Sequence, residues 1–106
     1  MATDAAGNIY ITDATNCRIQ KLSSNGTFLS KWGSFGTGDG QFNFPEGIAI
    51  AASGDIYVAD TDNHRIQKFT SSGAFVAKWG SLGAGDGQFN HPVGIGVDAS
   101  GFVYVA

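Results

Sequence analysis

Gly36 to Leu82 reads G-T-G-D-G-Q-F-N-F-P-E-G-I-A-I-A-A-S-G-D-I-Y-V-A-D-T-D-N-H-R-I-Q-K-F-T-S-S-G-A-F-V-A-K-W-G-S-L, and its opening signature returns at Gly83 to Gly94. Trp32 and Trp79, Arg18 and Arg65, Tyr10 and Tyr57, Pro45 and Pro92 are each separated by 47 residues. Aligning residues 1–47 with 48–94 leaves 27 identical positions and needs no insertion. A strict period of this length marks a repeat architecture, in which one supersecondary unit recurs and stacks on its neighbours. The 106 residues therefore divide into a first unit at 1–47, a second at 48–94, and a third, partial copy at 95–106 that repeats what residues 1–12 begin.

Each unit holds four short runs rich in β-branched and aromatic residues, separated by Gly-bearing turns, with no apolar spacing of helical period. The chain is read as all-β. In the second unit the first run is Gly47 to Ala51. Its third copy alternates Gly94 and Gly96 with Val93, Ile95 and Val97, so one face nearly lacks side chains, as a crowded central strand requires. The turn that follows (Asp4 to Gly7, Ala51 to Gly54, Asp98 to Gly101) has Gly fourth in all three copies and Asp first in two, the signature of a type I hairpin turn. The second run, Asp55 to Ala59, is apolar on both faces and must be covered on both. The third, Arg65 to Phe69, and fourth, Ala74 to Trp79, grow more polar. Four antiparallel strands graded from cramped and apolar to half-exposed describe a β-propeller blade from axis to rim. The glycine-rich segment Gly33 to Gly47 returns the chain to the axis, with Phe42 and Phe89 expected to plug the seams between blades.

The V-A-D-T-D-N-H-R-I-Q-K-F run at Val58 to Phe69, led in by F-P-E-G-I-A-I at Phe44 to Ile50, resembles the NHL repeat family. The N-H-R-I-Q portion at Asn63 to Gln67 is the core of that resemblance, the first unit keeps N-C-R-I-Q at Asn16 to Gln20, and G-D-G-Q-F-N-x-P-x-G resembles the family's connector. The resemblance covers essentially the whole chain. It implies a β-propeller, most often of six blades, that serves as a scaffold binding proteins or, in some members, RNA. Related propellers include lyases and calcium-dependent hydrolases, which implies an alternative reading as a ligand-binding or lyase- or hydrolase-like propeller with a site on the loop face or in the central channel. No residue here matches those sites.

Composition narrows the partners. A net charge of −3 with sparse Lys and Arg gives no footprint for nucleic acid or an anionic membrane. No apolar run approaches the ~20 residues of a membrane span. The single cysteine, Cys17, gives way to His64 in the second unit, so no disulfide or ligand role recurs.

Candidate chemistry is weighed by recurrence. The Asp13/Arg18 and Asp60/Arg65 pairs occur in both units, and a residue every blade needs serves the blade rather than a single reaction. Each Asp is read as ending the second strand and accepting hydrogen bonds from the turn or from the Arg that opens the third. Trp32 and Trp79 are read as structural likewise. The Gly38-Asp39-Gly40 and Gly85-Asp86-Gly87 loops carry one carboxylate each, too few for calcium, and no helix follows them to hold a phosphate. His91 replaces Phe44 as a seam residue, and His64 sits on a turn with no carboxylate pair. The expectation is a non-enzyme with no catalytic set, no cofactor and no metal. Its loop face would show Phe35, Thr61, Asp62, His64 and Leu82, with Thr15, Ser34 and Ser81 beside them, as candidate contacts for another protein.

Two blades expose two apolar faces, and repeat architectures need about three units to bury enough surface. Identical chains related by rotation can close a ring. A cyclic trimer of six blades is expected. The chain encodes ten strands where such a ring needs eight, so residues 95–106 are expected to complete the first blade of the next chain and residues 1 to about 7 to be displaced or disordered. A start in the middle of one strand and a stop at the end of another read as an excised or engineered piece of a longer propeller.

Overall fold

A computed structural model describes all 106 residues as ten strands and two single 3-10 turns. The first four strands, β1 (Ala2–Thr3), β2 (Ile9–Asp13), β3 (Arg18–Leu22) and β4 (Phe28–Trp32), form one antiparallel sheet in chain order. The next four, β5 (Pro45–Ile50), β6 (Ile56–Asp60), β7 (Arg65–Phe69) and β8 (Phe75–Trp79), repeat it. Registers repeat as well: Asp13 pairs with Arg18 and Asp60 with Arg65, Ile19 with Trp32 and Ile66 with Trp79. Two four-stranded blades thus stand face to face, as the 47-residue period predicts.

The third copy forms a hairpin of β9 (Ile95–Val97) and β10 (Val103–Val105), a sheet of its own. It lies on the far side of blade 2, where Ile95, Val97, Val103 and Val105 pack against Tyr57, Ala59 and Ile66. The approach is close enough that a Cβ on Gly47 would run into the carbonyl oxygen of Val93. That contact accounts for the glycine at position 47, whereas in the single chain Gly94 meets only the Ala106 Cβ and Gly96 faces open space.

The core fills the seam between blades. Tyr10, Ile19 and Cys17 of blade 1 meet Ile48, Ile56, Val58 and Phe69 of blade 2, with Phe42 of the connecting loop fully buried among them. Phe42 and Phe69 lie 5.6 Å apart, and Trp32 reaches across to Phe69 at 5.8 Å. Every residue of β6 is buried, in keeping with a strand that is apolar on both faces.

Within the single chain Ala2 and Thr3 pair with Tyr10 and Ile9 of their own blade. The physical cause is Asp4: its carboxylate accepts from the backbone N–H groups of Ala6 and Asn8, from the Asn8 amide and from the Tyr10 hydroxyl. A turn locked by four donors holds a short strand against its neighbour at little loop-closure cost. Asp98 locks the β9–β10 turn in the same way, through Ser100, Phe102 and Tyr104.

Candidate functional site

The densest polar cluster is built where β6 ends and β7 begins. Asp60 leads into a 3-10 turn over Thr61–Asn63, and His64 turns the chain back with a positive φ of 52°. Arg65 and Gln67 then project from the same face of β7, two residues apart. Asp60 Oδ2 accepts from Arg65 Nε at 2.7 Å, Asn63 Nδ2 at 2.9 Å and Gln67 Nε2 at 3.1 Å. These donors leave the other carboxylate oxygen for the backbone N–H of Asn43, at 2.8 Å.

The cluster grips the seam loop. Arg65 donates through Nη1 to the carbonyl of Thr37 at 2.7 Å and through Nη2 to those of Gly38 and Gln41 at 2.9 and 2.8 Å. Asn63 donates to the carbonyl of Gly36, Gln67 donates to that of Gln41, and the Gly40 N–H donates to Gln67 Oε1. Lys78 on β8 adds an ion pair to Asp39, at 2.7 Å. The ion pair is thus spent on ordering backbone: a planar guanidinium with five donors suits a loop that presents several carbonyls.

Blade 1 carries the same cluster with nothing in its grip. Arg18 Nε donates to Asp13 at 2.8 Å, and Asn16 and Gln20 donate to the same carboxylate. The Arg18 and Asp13 side chains are 31% and 20% exposed, against 8% and 0% for Arg65 and Asp60. The hydrogen bonds from Arg18 and Asn16 hold the Asp13 carboxyl below the usual carboxylate range. Above the cluster lies an open cleft of about 470 Å³, lined among others by Asn16, Arg18, Lys31 and Trp32.

The loop-face candidates are sorted by the structure. Phe35 and Leu82 are 71% and 61% exposed, their loops closed beneath them by short bridges to Phe42 and Phe89. Asp62 is exposed. Thr61 is not available: it is 3% exposed, and its hydroxyl donates to the carbonyl of Pro92 at 2.8 Å. His64 is partly covered by His91, whose ring stands edge-on at 4.4 Å and whose backbone N–H donates to His64 Nδ1. Asp62 Oδ1 lies 3.7 Å from His91 Nε2, so a carboxylate does approach this histidine pair. The contact joins residues 29 positions apart and leaves no trace in local spacing. Trp32 is half-buried in the seam, while Trp79 is 38% exposed and stands edge-on to Tyr57. No three His, Cys, Asp or Glu side chains converge in a metal-binding arrangement.

Comparison with known proteins places the blades. No curated protein sequence matches the chain. Residues 42–69, from the buried Phe42 to the end of β7, match the NHL repeat. Among solved structures, hydrazine synthase of Kuenenia stuttgartiensis superposes with a TM-score of 0.76 at 14% identity, over 99% of this chain and 27% of that one. A streptogramin B lyase superposes with a TM-score of 0.74 at 23% identity, over 98% of this chain and 32% of that one. An auxiliary nutrient binding protein of Bacteroides thetaiotaomicron gives a TM-score of 0.68 at 19% identity, over 93% and 32%. The lyase and the nutrient binding protein are β-propellers. At these identities the likeness carries the fold alone. The chain spans less than a third of each of the three structures.

Proposed function

We propose that this chain, built of β-propeller blades and carrying an NHL repeat at residues 42–69, is a non-enzymatic scaffold. Copies of it close head to tail into a ring whose loop face binds another protein. The observation that carries this reading is the inequality of equivalent apolar residues. Ile56, Val58 and Phe69, on the face of blade 2 turned to blade 1, are 0% exposed. Their counterparts Ile9, Ile11 and Leu22 are only half-buried, and Phe28 beside them is exposed. At the opposite end Trp79, Phe102 and Tyr104 are exposed.

The two open ends are the two sides of one seam. Blade 1 offers what blade 2 offers to blade 1, and the far end offers what blade 1 offers to blade 2. A contact between unlike surfaces of identical chains is heterologous and forms a ring when the rotation closes. Three chains give the six blades that the resemblance implies.

Tyr104 supports a further step, in which residues 95–106 of one chain complete the first blade of the next. Tyr10 and Tyr57 each stand edge-on to a tryptophan of their own blade, Trp32 at 6.4 Å and Trp79 at 6.1 Å. Each also lies under a lysine. Tyr104, the third copy, has neither partner within its chain. Exchange of the hairpin would bring it to Trp32 and Lys21 of the neighbour in the place of Tyr10, and so release residues 1–12, the stretch that residues 95–106 repeat. Phe35 and Leu82 recur around such a ring as exposed apolar contacts, the kind of surface that marks a protein-binding site.

Light scattering on two deletions tests the reading. Removing residues 95–106 is expected to abolish assembly, while removing residues 2–7 leaves mass and melting temperature close to those of the full chain. If the C-terminal deletion changes neither and the N-terminal one abolishes assembly, each blade is sealed within its own chain and the exchange is refuted.

A further inference from the structure

Resting on the ring reading above, we infer that the Asp13–Asn16–Arg18–Gln20 cluster with Lys31 is the docking site for the Gly83–Asn90 loop of a second copy of this chain. The structure contains the same contact once already, inside one chain. The loop at Gly36–Asn43 sits on Asp60, Asn63, Arg65, Gln67 and Lys78, and every one of those residues recurs 47 positions earlier with its chemistry unchanged.

The donor and acceptor lists transfer without a gap. Arg65 grips the carbonyls of residues 37, 38 and 41; Arg18 would grip those of Ala84, Gly85 and Gln88. The Asn43 N–H donates to Asp60; the Asn90 N–H would donate to Asp13. Asn16 would take the carbonyl of Gly83, Gln20 would take that of Gln88, and Lys31 would pair with Asp86 as Lys78 pairs with Asp39. The one substitution among the gripped positions, Thr37 to Ala84, changes nothing, because that residue offers its backbone carbonyl.

Both halves are already in their docked shape. In the held loop Gly38 N–H donates to Gln41 Oε1 at 3.0 Å and Gly36 N–H to the Phe42 carbonyl at 3.1 Å. In the free loop Gly85 N–H donates to Gln88 Oε1 at 3.0 Å and Gly83 N–H to the Phe89 carbonyl at 3.1 Å. The positive φ that the turn requires is 77° at Gly40 and 73° at Gly87. On the other side, Arg18 is already held by Asp13 and faces the open cleft. A preformed loop and a preformed receptor spare the ordering cost that binding otherwise pays.

Charge complementarity sets the partner. Lys31 is exposed on the receptor and Asp86 on the loop, and neither has an ion-pair partner within the chain. Exchanging the two charges between the surfaces therefore tests the contact without touching the folded chain. The variants are Lys31→Glu, Asp86→Lys, the double variant and Arg18→Ala, with assembly followed by sedimentation across a dilution series and folding checked by circular dichroism.

Each charge reversal is expected to raise the concentration needed for assembly by roughly five- to tenfold, consistent with an exposed pair turned into a repulsive one. The double variant should return to within about twofold of the wild type. Arg18→Ala, which removes three charge-assisted hydrogen bonds to the loop, should weaken assembly by more than about tenfold. If the wild type assembles and all four variants assemble equally well, the docking site is refuted and the ring stands. If the wild type stays monomeric, both the ring and the docking site fall.

Discussion

Trp32 lies flat against Gly73 across the seam between the blades: a Cβ on Gly73 would sit 2.9 Å from the indole ring. Gly26, its equivalent in blade 1, has the same backbone conformation (φ 88° against 90°) and faces open space. The two glycines separate conformational need from packing need. Alanine at either position carries the strain of a left-handed backbone, roughly 1–2 kcal/mol. Gly73→Ala adds displacement of a packed tryptophan, about 1–3 kcal/mol more. Urea denaturation under dissociating dilution is expected to show Gly73→Ala as the less stable of the two, and Gly26→Ala is expected to weaken assembly because the neighbour's Trp79 must lie there.

Arg65 and Arg18 make a matched pair for a second prediction. Arg65→Ala strands the fully buried Asp60 carboxylate and removes the donors to three backbone carbonyls of the seam loop. Breaking a buried pair by removing one partner costs about 3–5 kcal/mol. Arg18→Ala in the dissociated chain should cost far less, since water reaches Asp13. Chemical denaturation of both variants at low concentration checks the difference.

Phe42 and Phe89 separate a filled seam from an open one. Phe42→Ala empties a fully buried site between Phe69 and the loop backbone and is expected to cost about 3–5 kcal/mol. Phe89 is half-buried against Tyr57, Ala59 and Ile66, so Phe89→Ala should cost visibly less in the single chain. Melting temperatures at low concentration give the order.

Acid should open two of the three inner turns. Backbone donation from Phe102 holds the Asp98 carboxyl below its usual 3.8. At Asp4, partial burial pushes upward, but donors from Asn8, Tyr10 and Ala6 outweigh it and the net shift is also downward. A depressed carboxylate stabilises the folded turn fully above 3.8, and that contribution is lost as pH falls through the lower folded value. In the dissociated chain, amide hydrogen exchange at Ala6, Asn8, Ser100 and Phe102 is expected to accelerate below that point more than at Gly54 and Asp55. The turn of blade 2 carries Ala51 in place of the aspartate and serves as the internal control.

Much of the fold could be read in the period itself. Hydrophobic runs and Gly-bearing turns that recur every 47 residues specify strands, order and register together, and Phe42 could be assigned to the seam because it follows a loop long enough to cross a blade. Recurrence also marked Asp60 and Arg65 as parts of the blade. What recurrence cannot reveal is the difference between copies. Asp13 and Asp60 stand in nearly identical sequence, and only the presence of a loop in space makes one buried and the other open. Thr61 belongs by its place in the repeat to the exposed loop face, yet the Pro92 carbonyl reaches it from 31 residues away. Spacing likewise does not reveal how firmly the Asp4 turn holds the N-terminal strand in the single chain.

Native mass spectrometry of the full chain at micromolar concentration separates a closed ring from a single chain. A closed trimer of the 11.0 kDa chain is expected as the dominant species. A tetramer would keep head-to-tail closure and revise the number of blades. A single monomeric species across the micromolar range would rule out the ring, because both ends of the seam would then remain exposed without a partner.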